Sequence, residues 1–186
     1  MRNIIFLDID GVLNCQLMYE EQLKREESYK DYKEVKKELR WKVKHNEIGR
    51  LVFYSSQIDS KRIEWLNDLC IKTDSQIVIS STWRKGKSVD ELQEIFDFCG
   101  ATFIVLDKTG DCLCGTRGCE ISNWKGKNWQ KYFGLESHSL ANYVIIDDDN
   151  DMLLSQQANF FQTDPYSGLT PNTCYKIELF LNTKKG

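Results

Sequence analysis

The sequence predicts an α/β fold, a three-layer sandwich in which a mainly parallel sheet is covered by helices on both sides. Three observations predict it. Short apolar runs rich in isoleucine, valine and phenylalanine recur along the chain. They are continuous rather than alternating, as in strands buried on both faces. Amphipathic helical patterns separate them.

The first run, NIIFLDI (3–9), is read as the first strand. The segment that follows it (15–50) is polar and lysine-rich, without proline, and has sparse apolar positions such as Tyr29, Tyr32, Val35 and Leu39. It is expected to be a helical cap inserted after strand one, leaving 1–14 and 51–186 as the core. SQIDSKRIEWLNDLCIKT (56–73) places Ile58, Ile63, Trp65, Leu66, Leu69 and Cys70 near one helical face, with Ser or Asp available as N-cap. QIVISS (76–81) reads as the second strand. SVDELQEIFDFCG (88–100) reads as a helix that starts on a serine with an acidic first turn and stops at Gly100. ATFIVLD (101–107) is the third strand. A helix is expected from about Cys119 to Phe133, carrying Ile121, Trp124 and Trp129. YVIID (143–147) and NFFQT (159–163) are further strands, and TPNTCYKIELFLN closes the pattern as a helix with Pro171 in its first turn.

Composition narrows the class. With 186 residues and 41% hydrophobic content, the chain can bury one sizeable core, and one domain with an insertion is expected. A formal net charge of -3 gives no global field to attract nucleic acid or an acidic membrane, although a local basic patch remains open. A continuous run of only four apolar residues, Ile4 to Leu7, precedes the first aspartate, too few for a signal peptide, and no later run approaches a membrane span. A cytoplasmic location without membrane partners is expected. The odd count of seven cysteines at irregular spacing then reads as reduced thiols. Cys112, Cys114 and Cys119 are close in sequence, but CLCGTRGC is not the paired C-x-x-C of a structural zinc site and has no histidine nearby.

Four strand or loop ends carry chemistry. In a doubly wound sheet, ligands bind beyond the carboxyl ends of the strands, where Asp8 and Asp10 fall. Half-burying two carboxylates so close together is costly, so a cation is expected, and magnesium suits a few hard oxygen ligands. Gly11 permits the sharp exit that brings backbone close to a ligand. VIIDDDND places Asp147, Asp148, Asp149 and Asp151 at a second acidic strand end, the last two being better suited to a helix N-cap than to a metal. ISSTWR offers Ser80, Ser81 and Thr82 as donors to an anion, with Arg84 just beyond, and GTRGCE places Arg117 ahead of a helix.

DIDGVLN, ISSTWR, TRGCEISNW and VIIDDD, in this order, resemble the four motifs of the haloacid dehalogenase (HAD) superfamily of aspartyl-phosphate phosphatases. SSTWR, RGCEI with its following tryptophan, IIDDDND and the late GLT (Gly168 to Thr170) look most like the HAD domains of Swiss-army-knife RNA-repair proteins, relatives of the phosphatase domain of phage polynucleotide kinase-phosphatase. The resemblance implies a HAD-like Rossmannoid core and a Mg2+-dependent phosphomonoester hydrolase. Asp8 would be the nucleophile and Asp10 the general acid and base. Ser80 or Ser81, with Gly11, would hold the phosphoryl group. Arg117 would fill the third motif's basic position, for which Lys125 and Lys127 are rivals. Asp147 and Asp148 would complete the metal site with Asp8 and the backbone carbonyl of Asp10, the triple aspartate leaving the register open by one position. At its ordinary pKa of about 4 the nucleophile would be ionised without help from a base.

The resemblance also implies a phosphate end on nucleic acid, such as a 3′-phosphate, or a nucleotide as substrate. Ten Lys or Arg against eight Asp or Glu between Glu20 and Arg50, interleaved with Tyr29, Tyr32 and Trp41, would suit a strand-binding cap face, or these aromatics pack the cap down. A small-metabolite phosphatase and a catalytically silent phosphate-binding or partner-binding module are the alternatives. Intact Asp8 and Asp10 weigh against the silent module.

Overall fold

The computed structural model describes residues 3–25, 47–134 and 142–183. Five strands form one sheet: β1 (Asn3–Leu7), β2 (Ser75–Ile79), β3 (Val105–Lys108), β4 (Tyr143–Asp147) and β5 (Phe160–Gln162). All neighbours pair in parallel, in the order β3-β2-β1-β4-β5. Strand order reverses between β1 and β4, and in such sheets a crevice opens at that point.

The apolar runs behave as their continuity requires, with successive residues of β1 serving opposite faces. Ile5 and Leu7 join Ile77, Ile79, Val144 and Ile146 in one buried cluster, whereas Ile4 and Phe6 join Val78 and Ile145 in another. The first cluster is covered by α3 (Ser60–Thr73), α4 (Val89–Phe98) and α6 (Pro171–Thr183), which contribute Leu66, Leu69, Leu92, Phe96, Ile177 and Leu181. The second is covered by α5 (Arg117–Phe133) through Ile121, Trp124 and Trp129. The Trp124 ring meets Phe6 edge-on at 5.3 Å. Full burial of a side chain the size of Leu66 stabilises by about 1.5–3 kcal/mol, so these two layers carry the fold.

Local signals set the helix ends. Asp59 caps α3, its carboxylate accepting from the Lys61 amide. Ser88 and Glu91 form a reciprocal capping box at the start of α4. Pro171 opens α6, where its missing N–H costs nothing.

Two expectations change. The third strand begins at Val105 instead of residue 101, because the preceding backbone is engaged elsewhere: Asn67 Oδ1 accepts from the Thr102 amide at 2.8 Å, and Ile104 is exposed. The edge strands β3 and β5 are only partly buried, so burial on both faces holds for the three central strands alone. In the insertion, α1 (Gln16–Arg25) follows the first strand, and α2 (Glu47–Ser55) runs across the expected boundary at residue 50. Leu51 and Tyr54 of α2 pack on the core, and Arg50 pairs with Glu91 and Glu94 of α4. Tyr29, Tyr32, Val35, Leu39 and Trp41, which fall in the expected cap, lie outside the described residues.

Candidate active site

Sheet register puts the acidic residues side by side. Leu7 pairs with Ile79 on one side and with Ile146 on the other, so the residues next in sequence, Asp8, Ser80 and Asp147, emerge together at the carboxyl edge. The ladder continues past the strand ends: the Ser80 amide donates to the Leu7 carbonyl and the Asp8 amide to the Ile146 carbonyl, both at 2.9 Å. Asp8 and Asp147 thereby straddle the point where strand order reverses.

Asp8, Asp147 and Asp148 each offer a carboxylate oxygen, and these oxygens all lie within 4.8 Å of one another. Arg117, the first residue of α5, reaches across them. Its Nη2 donates to Asp8 Oδ1 and its Nε to Asp147 Oδ2, each at 3.2 Å. The rival lysines of α5 lie elsewhere: Lys125 Nζ sits 3.6 Å from the ring centre of Tyr143, at the opposite end of β4, and Lys127 is exposed.

Burial sets the proton affinities. Desolvation, reinforced by the Asp147 charge, pushes Asp8 up to about 7, while Arg117 and the Ser81 hydroxyl pull it back. Asp147 is pushed up to about 6 by desolvation, against the pull of Arg117 and of the Asp149 amide. Desolvation also raises Asp148. The expectation of an ordinary, freely ionised Asp8 therefore fails in the metal-free chain, because the strand end that delivers Asp8 also removes it from water.

These residues fit a hard divalent cation. Three carboxylates from two strand ends converge, and their raised proton affinities show that burial, with mutual repulsion added at Asp8, disfavours their charged forms when no cation is there to offset it. Gly11 leaves the space they need: its φ is +72°, and a Cβ there would lie 2.3 Å from the Asp148 carboxyl. Magnesium, which takes one or two carboxylates and otherwise water and phosphate oxygens, suits this donor set. Asp149 is not among the three; it is exposed, and its amide donates to Asp147 Oδ1 at 3.0 Å. Asp151 lies at a helix end: its Oδ2 accepts from the Arg117 amide at 2.8 Å, capping α5 from a distant segment while Thr116 makes no side-chain cap.

Asp10 stands at the exposed side of the group. The Trp83 indole N–H donates to both its carboxylate oxygens at 3.1 Å, and Asn14 Nδ2 donates to Oδ1 at 2.8 Å. Asn14 Oδ1 also accepts from the Gly11 amide at 3.0 Å, closing the loop on itself. Ser80 Oγ is buried without a hydrogen-bond partner, whereas Ser81 Oγ accepts from the Trp83 amide at 3.4 Å. Thr82, the next hydroxyl of ISSTWR, is exposed.

Arg84 does not stand ready for an anion. Its side chain is buried, Nη2 lies 2.7 Å from Glu120 Oε1, and Nη1 donates to the Ser81 carbonyl at 2.8 Å. Glu120 is the residue that sequence reasoning missed, since its other oxygen accepts from Arg117 Nη1 at 3.3 Å. It stands in the quoted motif RGCEI, but the only physical signal of its role was an arginine three positions earlier on a helix, a pairing common on any solvated face. Asn14 was missed too, although it closes the quoted motif DIDGVLN. The GLT segment braces this loop from below, the Leu169 amide donating to the Val12 carbonyl at 2.8 Å. From the end of β5, Gln162 Nε2 donates to the Asp148 carbonyl at 2.8 Å, and from the residue just beyond it Thr163 Oγ1 donates to the Gly11 carbonyl at 3.0 Å.

No helix among the described residues is long and apolar enough to cross a membrane. Comparison with curated proteins and with solved structures gives no match. A family model does match, over residues 4–174, and its description is the HAD domain in Swiss Army Knife RNA repair proteins. With that match reaching into all five strands and covering every residue of the acidic group, the chain belongs to this family of HAD domains.

Proposed function

We propose that the chain is a magnesium-dependent phosphomonoesterase that works through an aspartyl phosphate on Asp8, and that its substrate is a phosphate end of nucleic acid or a nucleotide. The observation that carries this reading is the meeting of Asp8 with Asp147 and Asp148, all three oxygens within 4.8 Å, under the guanidinium of Arg117.

An Asp8 oxygen attacks phosphorus and the bond to the leaving alkoxide breaks, Asp10 supplying the proton that the alkoxide takes. Asp10 then removes a proton from water, which attacks the same phosphorus, releasing inorganic phosphate and restoring Asp8. Magnesium held by Asp8, Asp147 and Asp148, with the Asp10 carbonyl, would supply positive charge against the repulsion between carboxylate and phosphate. Arg117 neutralises further charge on the equatorial oxygens, where most catalysis of phosphoryl transfer arises. Ser80 and Ser81 are the remaining donors for the phosphoryl group, and the unpartnered Ser80 hydroxyl is free to take that part, whereas the Gly11 amide would first have to leave Asn14 Oδ1.

Two features support the substrate class. The family is described from RNA repair proteins. Beside Asp10 stands an aromatic wall in which Tyr54 packs on Trp83 at 5.2 Å and Lys87 Nζ lies 4.3 Å over the Tyr54 ring, a surface suited to a base and its backbone charge. In this reading the insertion (15–50) caps the same face.

A screen of phosphorylated compounds with magnesium tests the proposal. Release of phosphate from para-nitrophenyl phosphate should fall at least about a hundredfold in Asp8→Asn, the lower range for loss of a catalytic group. Among natural compounds, 3′-phosphorylated oligonucleotides should outcompete sugar phosphates, with activity dropping as salt rises. Equal turnover of sugar phosphates would favour the metabolite phosphatase, and no turnover of any compound would favour the silent binding module.

A further inference from the structure

A second group of ligand-type side chains stands outside the carboxylate site. The loop from β3 to α5 carries Cys112 and Cys114, and Cys119 is the third residue of α5. The chain folds back between them: the Gly115 amide donates to the Cys112 carbonyl at 3.1 Å, and Gly115 has a φ of +68°. The turn lays Cys112 and Cys114 against the first turn of the helix. As a result the three sulfurs lie within 4.8 Å of one another, with Cys112 Sγ and Cys114 Sγ 3.1 Å apart. The spacing C-x-C-x4-C lacks the usual zinc signature because the helix, and not a second C-x-x-C pair, delivers the third thiol.

We propose that Cys112, Cys114 and Cys119 form a second cation site, which takes a thiophilic ion such as Zn2+ through three thiolates and an exchangeable fourth ligand. Sulfurs about 2.3 Å from a tetrahedral zinc stand about 3.8 Å apart, so the cluster is close to the required geometry before any ion arrives. The thiols are not core filling, since Cys114 is exposed and Cys112 and Cys119 are half-buried. A disulfide would use two of them and leave the third without a purpose, whereas a cation uses all three. Among the described residues no fourth Cys, His, Asp or Glu joins the group, which leaves the last position to water or to a ligand from outside.

Such an ion would tie the loop to the turn that presents Arg117 and Glu120. Its chemistry separates it from the magnesium site, because thiolates select soft or borderline ions and carboxylates hard ones.

The test uses the full chain, freed of metal by chelation, kept reduced, and held in excess magnesium to occupy the carboxylates. Titration with Co2+ should produce a thiolate-to-cobalt charge-transfer band that saturates at one ion per chain and disappears when Zn2+ displaces it. Cys114→Ser, at an exposed position that the fold does not need, should weaken zinc binding by more than about a hundredfold, the most that loss of a mere supporting hydrogen-bond partner costs. Its far-ultraviolet circular dichroism should be unchanged. Zinc should also slow amide hydrogen exchange in residues 112–120 of the parent chain and not in this variant. Absence of the band, or a band of full intensity in Cys112→Ser, Cys114→Ser and Cys119→Ser alike, would overturn the proposal. None of these readouts depends on phosphatase activity.

Discussion

Gly11 is the tightest residue of the site. An alanine there would adopt a left-handed φ at a cost of about 1–2 kcal/mol and would drive its Cβ into the Asp148 carboxyl, 2.3 Å away. Relief requires Asp148 to move, and Asp148 is one of the three converging carboxylates. Gly11→Ala should therefore weaken magnesium binding at least about tenfold in titration calorimetry, the smaller loss typical of a disturbed metal site. Unchanged affinity would mean that Asp148 takes no part. The sequence could announce the need for a glycine after DxD, but not which side chain it makes room for. It pointed to a half-buried Asp8 but not to a burial deep enough to lift it to about 7, because depth depends on what the other strands place around it.

The first turn of α5 is the element on which the site turns. Glu120, with only 8% of its side chain exposed, holds Arg84 with one oxygen and Arg117 with the other. Removing its charge leaves Arg84, 3% exposed, with the solvent-facing Asp111 and two backbone carbonyls as its partners among the described residues. Glu120→Gln should destabilise the fold by about 3–5 kcal/mol, measured by denaturant unfolding, as loss of one partner from a buried charged group does. A cost below about 1 kcal/mol, the worth of a surface pair, would contradict this. The start of this helix was read two residues late, at Cys119. Thr116 makes no side-chain cap, and the cap comes from Asp151 across the crevice, which no local pattern reveals. Helices capped by their own neighbours, such as α4 with Ser88 and Glu91, were legible to within a residue.

Taken whole, the molecule is a sheet whose central strands deliver like charges to one edge, and its stability should report that. In the metal-free chain Asp8 titrates near 7 and Asp147 near 6, against 3.8 for each when ordinary. Between about pH 4 and pH 7 the folded state thus binds more protons than the unfolded one, so these groups' contribution is full below about 4 and lost as pH rises through 7. Asp8 alone accounts for a change on the order of 4 kcal/mol. Magnesium displaces those protons, so the rise in Tm that it gives should be larger at pH 8 than at pH 5, and should shrink at both in Asp147→Asn. An equal rise at both pH values would show that the carboxylates do not bind the ion. At this scale the parallel sheet with helices on both faces followed from continuous apolar runs alternating with helical patterns, and the meeting of Asp8 with Asp147 fits two apolar strands that each end in aspartate, whereas the strand order itself was not legible. What stayed illegible was contact between segments far apart in sequence, Trp83 on Asp10 and Glu120 on Arg84, and the turn that gathers three sequence-near thiols.

The most direct measurement is to quench the protein with acid during turnover of a radiolabelled phosphomonoester in magnesium and to map the label by peptide. Label on the peptide that contains Asp8, absent in Asp8→Asn and in the chelated protein, is the expected result. Label on any other residue, or undiminished turnover by Asp8→Asn, would contradict it.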